Sequence, residues 1–204
     1  FPRLLLILSC CNGPHFLTGA EGMTRTMVIG GARSRKSAHA EMLATASGKP
    51  VVYIATAQAG DAEMQLRIAH HRERRDGRWQ TVEETLALGA AIEKYSRANN
   101  LLLLDCLTVW LSNLLFSENK EFPEVGTIDA PAAFTEQRAA FLRALAQAPG
   151  DVILVTNEVG QGIVPQGAIS RWFVDEAGRL NQEAAAICDR AVLVVAGLPL
   201  SLKG

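Results

Sequence analysis

Five short apolar runs, at residues 26–30, 51–55, 101–105, 152–156 and 191–195, alternate along the chain with segments whose apolar residues recur at helical spacing. No other feature restricts the fold as much. A run that is apolar at nearly every position suits a strand buried on both faces, as in a parallel sheet whose crossover helices cover it on both sides. Helical spacing is clearest over residues 36–47, 61–75, 86–97, 130–147 and 169–187, and residues 106–116 also read as helical. Residues 198–203 are expected to add an edge strand. The predicted fold class is therefore α/β, with a mostly parallel central sheet and helices on both faces. In such doubly wound layouts ligands lie beyond the carboxyl ends of the strands, so Gly30, Thr56, Asp105 and Asn157 should share one rim.

The first apolar run leads directly into Gly30, Gly31, Ala32, Arg33, Ser34, Arg35, Lys36 and Ser37, and a helical pattern begins there. Strand, glycine-containing loop, Lys-Ser and helix in that order make a cradle for phosphates. Backbone N–H groups face inward, the helix directs its positive end at the anion, and the lysine adds a point charge. Lys36 would reach the β- and γ-phosphates and Ser37 would hold Mg²⁺. The departure is Arg35, which stands where the usual pattern has a second glycine. A residue with a Cβ costs roughly 1–2 kcal/mol in the left-handed torsions that glycine adopts freely. Arg35 is thus expected to strain the loop, and its guanidinium to offset part of that cost near phosphates. The plainer alternative is a glycine-containing turn before an ordinary helix.

Composition bounds the partners. The chain has 204 residues and a formal net charge of −1 with both signs interspersed, so nothing favours nucleic acid or an anionic membrane surface as partner. The four cysteines, Cys10, Cys11, Cys106 and Cys188, have no C-x-x-C spacing, which points to reduced thiols and a cytoplasmic location. Residues 1–22 differ from the remainder. Their apolar run at 4–8 is too short to cross a bilayer, and they are read as an N-terminal appendage to one domain at 23–204. Residues 117–131 are polar, with two prolines and a glycine, and read as a loop.

Two further stretches carry chemistry. Asp105 closes a run of four leucines, which is how an acidic partner for Mg²⁺ is delivered in phosphate-loop enzymes, although it could also cap the helix that follows. The segment 61–75 has Asp61 as a cap and Arg72, Arg74 and Arg75 at its far end. It also carries His70 and His71, which a helix of about 100° per residue cannot aim at one small site. An imidazole can attack phosphorus directly. From spacing alone, however, two solvated histidines at the end of a charged helix are the preferred reading.

The combination of Gly-Gly-Ala-Arg-Ser-x-Lys-Ser at 30–37, Tyr-Ile-Ala-Thr-Ala at 53–57, Arg-Ile-Ala-His-His-Arg at 67–72, Leu-Leu-Leu-Asp-Cys-Leu-Thr at 102–108, Val-Thr-Asn-Glu-Val-Gly-x-Gly-Ile-Val-Pro at 155–165 and Ala-Gly-Arg-Leu-Asn-Gln at 177–182 resembles the adenosylcobinamide kinase / adenosylcobinamide-phosphate guanylyltransferase family. The resemblance runs from about residue 27 to residue 203. It implies a single P-loop NTPase-like domain that works in cobalamin assembly and salvage. Adenosylcobinamide would be phosphorylated with ATP or GTP, and GMP from GTP would then be transferred to the new phosphate through a guanylylated histidine.

By the same resemblance His71 and Lys36 are the catalytic residues. Residues 30 to 37, with Thr56, Ala57, Gln58, Arg72, Glu73, Arg74 and Arg75, lie at the nucleotide. Glu83 or Glu84, together with Asp105, contacts guanosine or metal, and a homo-oligomer is implied. Two rival readings stay open on the residues themselves: another small-molecule kinase that forms no covalent adduct, and a non-catalytic nucleotide-binding protein whose loop is impaired by Arg35.

Overall fold

The computed structural model describes residues 23–57, 77–118 and 120–204. Seven strands form one sheet: β1 (Arg25–Gly30), β2 (Val51–Ala55), β3 (Gln80–Glu83), β4 (Leu101–Asp105), β5 (Asp151–Asn157), β6 (Arg190–Val195) and β7 (Leu198–Lys203). Their spatial order is β3-β2-β4-β5-β1-β6-β7. All neighbours are parallel except β6 and β7, which pair antiparallel. The described helices are α1 (Lys36–Ala46), α2 (Leu88–Tyr95), α3 (Leu107–Leu115), α4 (Ala132–Gln147) and α5 (Ala168–Ile187).

Side chains alternate across the sheet, as a two-residue period requires. Leu102 and Leu104 of β4 join Ile54, Leu154, Trp110, Phe141 and Leu180 in a core under α2 to α5, whereas Leu101 and Leu103 join Tyr53, Val28 and Val155 in a second core under α1. Both faces of the sheet are therefore covered. Each fully buried Leu contributes about 1.5–3 kcal/mol, which is why the four leucines in a row specify a central strand. Trp110 packs against Phe141 at 5.1 Å and its indole N–H donates to the Leu86 carbonyl, while Phe134 meets Trp172. Both tryptophans are packing residues.

One strand goes beyond the expectation. β3 is the polar four-residue segment Gln-Thr-Val-Glu, half-buried at Val82 alone, on the sheet edge. Its partner β2 supplies the hydrogen bonds, so no apolar run was needed to place it. The helix expected at 86–97 is shorter at both ends. Glu84 Oε1 accepts from the Leu86 and Ala87 N–H groups and holds the entry as a turn, and Asn100 Oδ1 accepts from the Arg97 N–H at the exit. The helix read at 61–75 and the appendage 1–22 lie outside the described residues.

Two helix ends are closed by cations from strands. Arg25 donates to the Leu145, Ala146 and Ala148 carbonyls at the end of α4. Lys203 donates to Ala185, Ala186 and Cys188 at the end of α5. Neither helix has a basic residue in its own last turn, so these carbonyls take their donors from the sheet. Among the described residues no helix is long and apolar enough to cross a membrane.

Candidate active site

Gly30, Ala55, Asp105 and Asn157 end β1, β2, β4 and β5, and Thr56 follows β2, so the four rim residues expected from sequence do share the carboxyl edge of the sheet. The loop 31–35 leaves this edge from β1 and enters α1 at Lys36. Its entry is tight. A Cβ at Gly30 would stand 2.5 Å from the Val194 carbonyl oxygen and 2.6 Å from Ser34 Oγ, so only glycine fits there. Its exit is strained. Arg35 is the N-cap of α1 at φ 71° and ψ 20°, and Arg33 has φ 57°. The left-handed geometry expected to penalise Arg35 is present, and the loop is formed nonetheless. Arg35 makes no side-chain cap. Ser34 Oγ is buried and has no hydrogen-bond partner among the described residues.

Lys36 folds its ammonium toward the mouth of the loop and donates to the Gly31 carbonyl at 3.2 Å. Burial pushes its pKa below the ordinary 10.5, and negative charge at Cys106 and Asp105 pulls the other way. The buried Cys106 thiol is itself pushed up to about 12, chiefly by desolvation, so it is neutral at pH 7. Asp105 Oδ2 accepts a hydrogen bond of 2.8 Å from the hydroxyl of Tyr53, a residue only 1% exposed. The helix that follows Asp105 has Cys106 as its N-cap with no side-chain cap bond, so Asp105 does not cap it. Ser37 lies in the first turn of α1. A serine hydroxyl and a carboxylate are hard oxygen donors that suit Mg²⁺, which keeps most of its ligands as water and phosphate oxygen. No group of three or more His, Cys, Asp or Glu that could hold a metal ion occurs among the described residues.

Thr56 is fully buried and wholly engaged by the fold. Its hydroxyl donates to the Cys106 carbonyl and accepts from the Cys106 N–H, both at 2.8 Å, and its own N–H donates to the Asp105 carbonyl. It ties the ends of β2 and β4 together. Ala57 is the last described residue after β2. Glu83 ends β3 opposite Ala55, and Glu84 is the turn-forming carboxylate noted above. Gln58, His70, His71, Arg72, Glu73, Arg74 and Arg75 lie outside the described residues.

Two rim groups, Asn113 and Thr108, were not singled out from sequence. Asn113 of α3 donates to the Thr56 and Thr85 carbonyls, and Thr108 Oγ1 accepts from the Asn157 N–H. Asn181 is buried, accepts from the Thr156 hydroxyl and donates to the Asn157 carbonyl, and Arg179 pairs with Glu176. Sequence reasoning offers Asn181 and Arg179 as contacts to a substrate or a neighbouring subunit; Asn181 is engaged within the fold, whereas the Arg179 side chain is 58% exposed and pairs with Glu176 through one nitrogen.

Comparison with known proteins places this geometry. Residues 26–202 match the family model described as cobinamide kinase / cobinamide phosphate guanyltransferase. A bifunctional adenosylcobalamin biosynthesis protein of Pseudomonas aeruginosa is 51% identical over 180 residues, covering 88% of this chain and 98% of that protein. The protein of the same description from Escherichia coli is 42% identical over 179 residues, covering 87% and 98%. Among solved structures, a prototypical ATPase from the type III secretion system of pathogenic bacteria aligns with TM-score 0.53 at 13% identity, over 87% of this chain and 56% of its own. The assembled ATPase EscN of enteropathogenic E. coli aligns with TM-score 0.50 at 15% identity, over 88% and 48%. At such identities the structural likeness speaks to the fold alone. The sequence matches go further: this chain belongs to the cobinamide kinase / cobinamide phosphate guanyltransferase family.

Proposed function

We propose that the protein phosphorylates adenosylcobinamide and then guanylylates the product, acting in adenosylcobalamin biosynthesis, the process named for its relatives, and in salvage. What supports this reading is the glycine-containing loop between β1 and α1, with Lys36 at the helix entry close enough to Asp105 for their charges to interact, in a chain that matches the family over residues 26–202. In the first reaction the aminopropanol hydroxyl oxygen attacks the γ-phosphorus of ATP or GTP. The bridging P–O bond breaks, and the nucleoside diphosphate leaves as the hydroxyl proton is lost.

In the second reaction an imidazole nitrogen of His71 attacks the α-phosphorus of GTP and pyrophosphate leaves. An oxygen of the corrinoid phosphate then displaces the imidazole, breaking the N–P bond. Lys36, the loop amides and the positive end of α1 oppose the charge that accumulates on the departing phosphates. Ser37 and Asp105 would hold Mg²⁺, which when bound supplies further neutralisation of the phosphate oxygens. The remaining nucleotide contacts are assigned to Ala57, Gln58, Arg72, Glu73, Arg74, Arg75 and Glu83, and the working form is a homo-oligomer in the cytoplasm, where both triphosphates are abundant.

The test is incubation of the full chain with α-labelled GTP and Mg²⁺. Acid-labile label is expected on the wild type and not on His71→Ala, which should still phosphorylate adenosylcobinamide. Label that persists in His71→Ala removes that residue from its role. Kinase turnover with no label on the wild type returns the protein to the class of simple small-molecule kinases.

A further inference from the structure

The end of β6 and the hairpin turn that joins it to β7 have no part in the chemistry above, yet together they touch the phosphate loop at both ends. At the entry, the Val194 carbonyl oxygen occupies the space beside Gly30. At the exit, the Gly197 N–H donates to the Ser34 carbonyl at 3.0 Å, and a Cβ placed on Gly197 would lie 3.3 Å from Arg35 Cδ. Ala196 and Gly197 have φ 52° and 81°, the paired left-handed torsions of a tight hairpin turn, so the Gly197 amide is held rather than loosely presented.

The consequence follows from peptide planarity. In a trans peptide the C=O and N–H point in opposite directions. The bond from Gly197 fixes the Ser34 carbonyl outward toward the hairpin, and the Arg35 N–H on the other side of the same plane is thereby turned inward. Among the described residues no group accepts from that N–H. We infer that the β6–β7 turn is a positioning element for the nucleotide: its Gly197 amide sets the Ser34–Arg35 peptide so that the Arg35 N–H is aimed at the triphosphate before it binds. The unpartnered buried Ser34 Oγ lies on the same stretch of loop. Arg35, without glycine's torsional tolerance, needs this outside restraint more than a glycine there would. The inference rests on the phosphate-loop reading and adds to it the residue that holds the loop.

The native Cys188 allows a synthetic 188–204 segment to be ligated to the rest of the chain, with the Gly197 amide replaced by an ester that has no N–H. The probe is inorganic tripolyphosphate, titrated by calorimetry against the ester protein and an all-amide protein made in the same way, with thermal unfolding recorded for both. The expected result is a folded ester protein whose tripolyphosphate Kd is about tenfold weaker, from the loss of one aimed, charge-assisted donor. An unchanged Kd overturns the inference. If neither protein binds tripolyphosphate, the phosphate-loop reading fails and takes the inference with it. Should the ester protein not fold, Gly197→Ala decides: strained at φ 81° and crowded by Arg35, it should weaken tripolyphosphate binding about threefold while folded. Undiminished binding by that variant also overturns the inference.

Discussion

Replacing Arg35 with glycine should make the protein more stable, and the size of the gain can be worked from the loop. At φ 71° and ψ 20° the residue sits in the left-handed region, where a side chain with a Cβ costs roughly 1–2 kcal/mol. Glycine removes that cost but enlarges the unfolded ensemble, returning roughly 0.5–1 kcal/mol. Arg35 also places a cation at the positive end of α1, an arrangement unfavourable by roughly 0.3–1 kcal/mol when exposed. The net gain for Arg35→Gly is about 1 kcal/mol, which for a chain of this length is a rise in Tm of about 2–4 °C.

Arg35→Ala separates the two contributions. It removes the same cation but keeps the Cβ, so its Tm should rise by less than that of the glycine variant. Calorimetric unfolding of the three proteins in one buffer, without nucleotide, is sufficient. If alanine stabilises as much as glycine, the torsional argument is wrong and charge explains the whole effect. If Arg35→Gly lowers Tm, the packing of the arginine stem against Gly197 outweighs the strain, and the account of this loop fails.

Lys36 has its pKa lowered by burial, so triphosphate affinity should decline as pH rises through a value below 10.5, because deprotonation removes the charge that meets the phosphates. Lys36→Arg should abolish that decline, since a guanidinium stays charged throughout the range, and calorimetric titrations at several pH values check both. The same lowering means that the unfolded chain binds more protons between the folded pKa and 10.5, so stability should rise with pH in that window and rise less in Lys36→Met. Glu176 is buried between Arg138 and Arg179, and Glu176→Gln should cost roughly 2–3 kcal/mol in denaturant unfolding while tripolyphosphate binding is unchanged. Lost binding without lost stability would contradict its structural role. Tyr53→Phe removes the donor that fixes Asp105, so the Mg²⁺ concentration for half-maximal nucleotide binding should rise about threefold in a folded protein. No change would show that Asp105 is held without Tyr53.

The fold was legible because buried parallel strands carry a loud signal. Val51 to Ala55 and Leu101 to Asp105 begin and end where their apolar runs do, and the edge strand Leu198–Lys203 has the bounds expected of it. β3 was silent for the opposite reason: an edge strand of four mostly exposed residues needs only a neighbour with open hydrogen bonds. In the site, the glycine loop and Asp105 could be read because each follows an apolar run. The clasp between Thr56 and Cys106, the hydroxyl of Tyr53 on Asp105 and the amide of Gly197 on the loop could not. They join residues far apart in the chain, and their side chains or amides are of kinds that occur in any fold. Composition and periodicity carry no trace of such pairings.

The cations that close α4 and α5 give the molecule a direction. Parallel crossovers point these helices the same way, so their negative ends collect at the edge opposite the phosphate loop, where Arg25 and Lys203 quench them. No acidic residue stands in the first turn of α1 to quench its positive end in the same manner. A chain with net charge −1 thus has no long-range pull on an anion, yet the start of α1, with Arg35 and Lys36 beside it, is a place where an anion is welcome. Attraction of that kind reaches about a Debye length, near 8 Å at physiological salt, so it captures a polyphosphate already at the rim rather than drawing one in from solution. Saturating salt should therefore slow association with nucleotide far less than it slows proteins that recruit their ligands through overall charge.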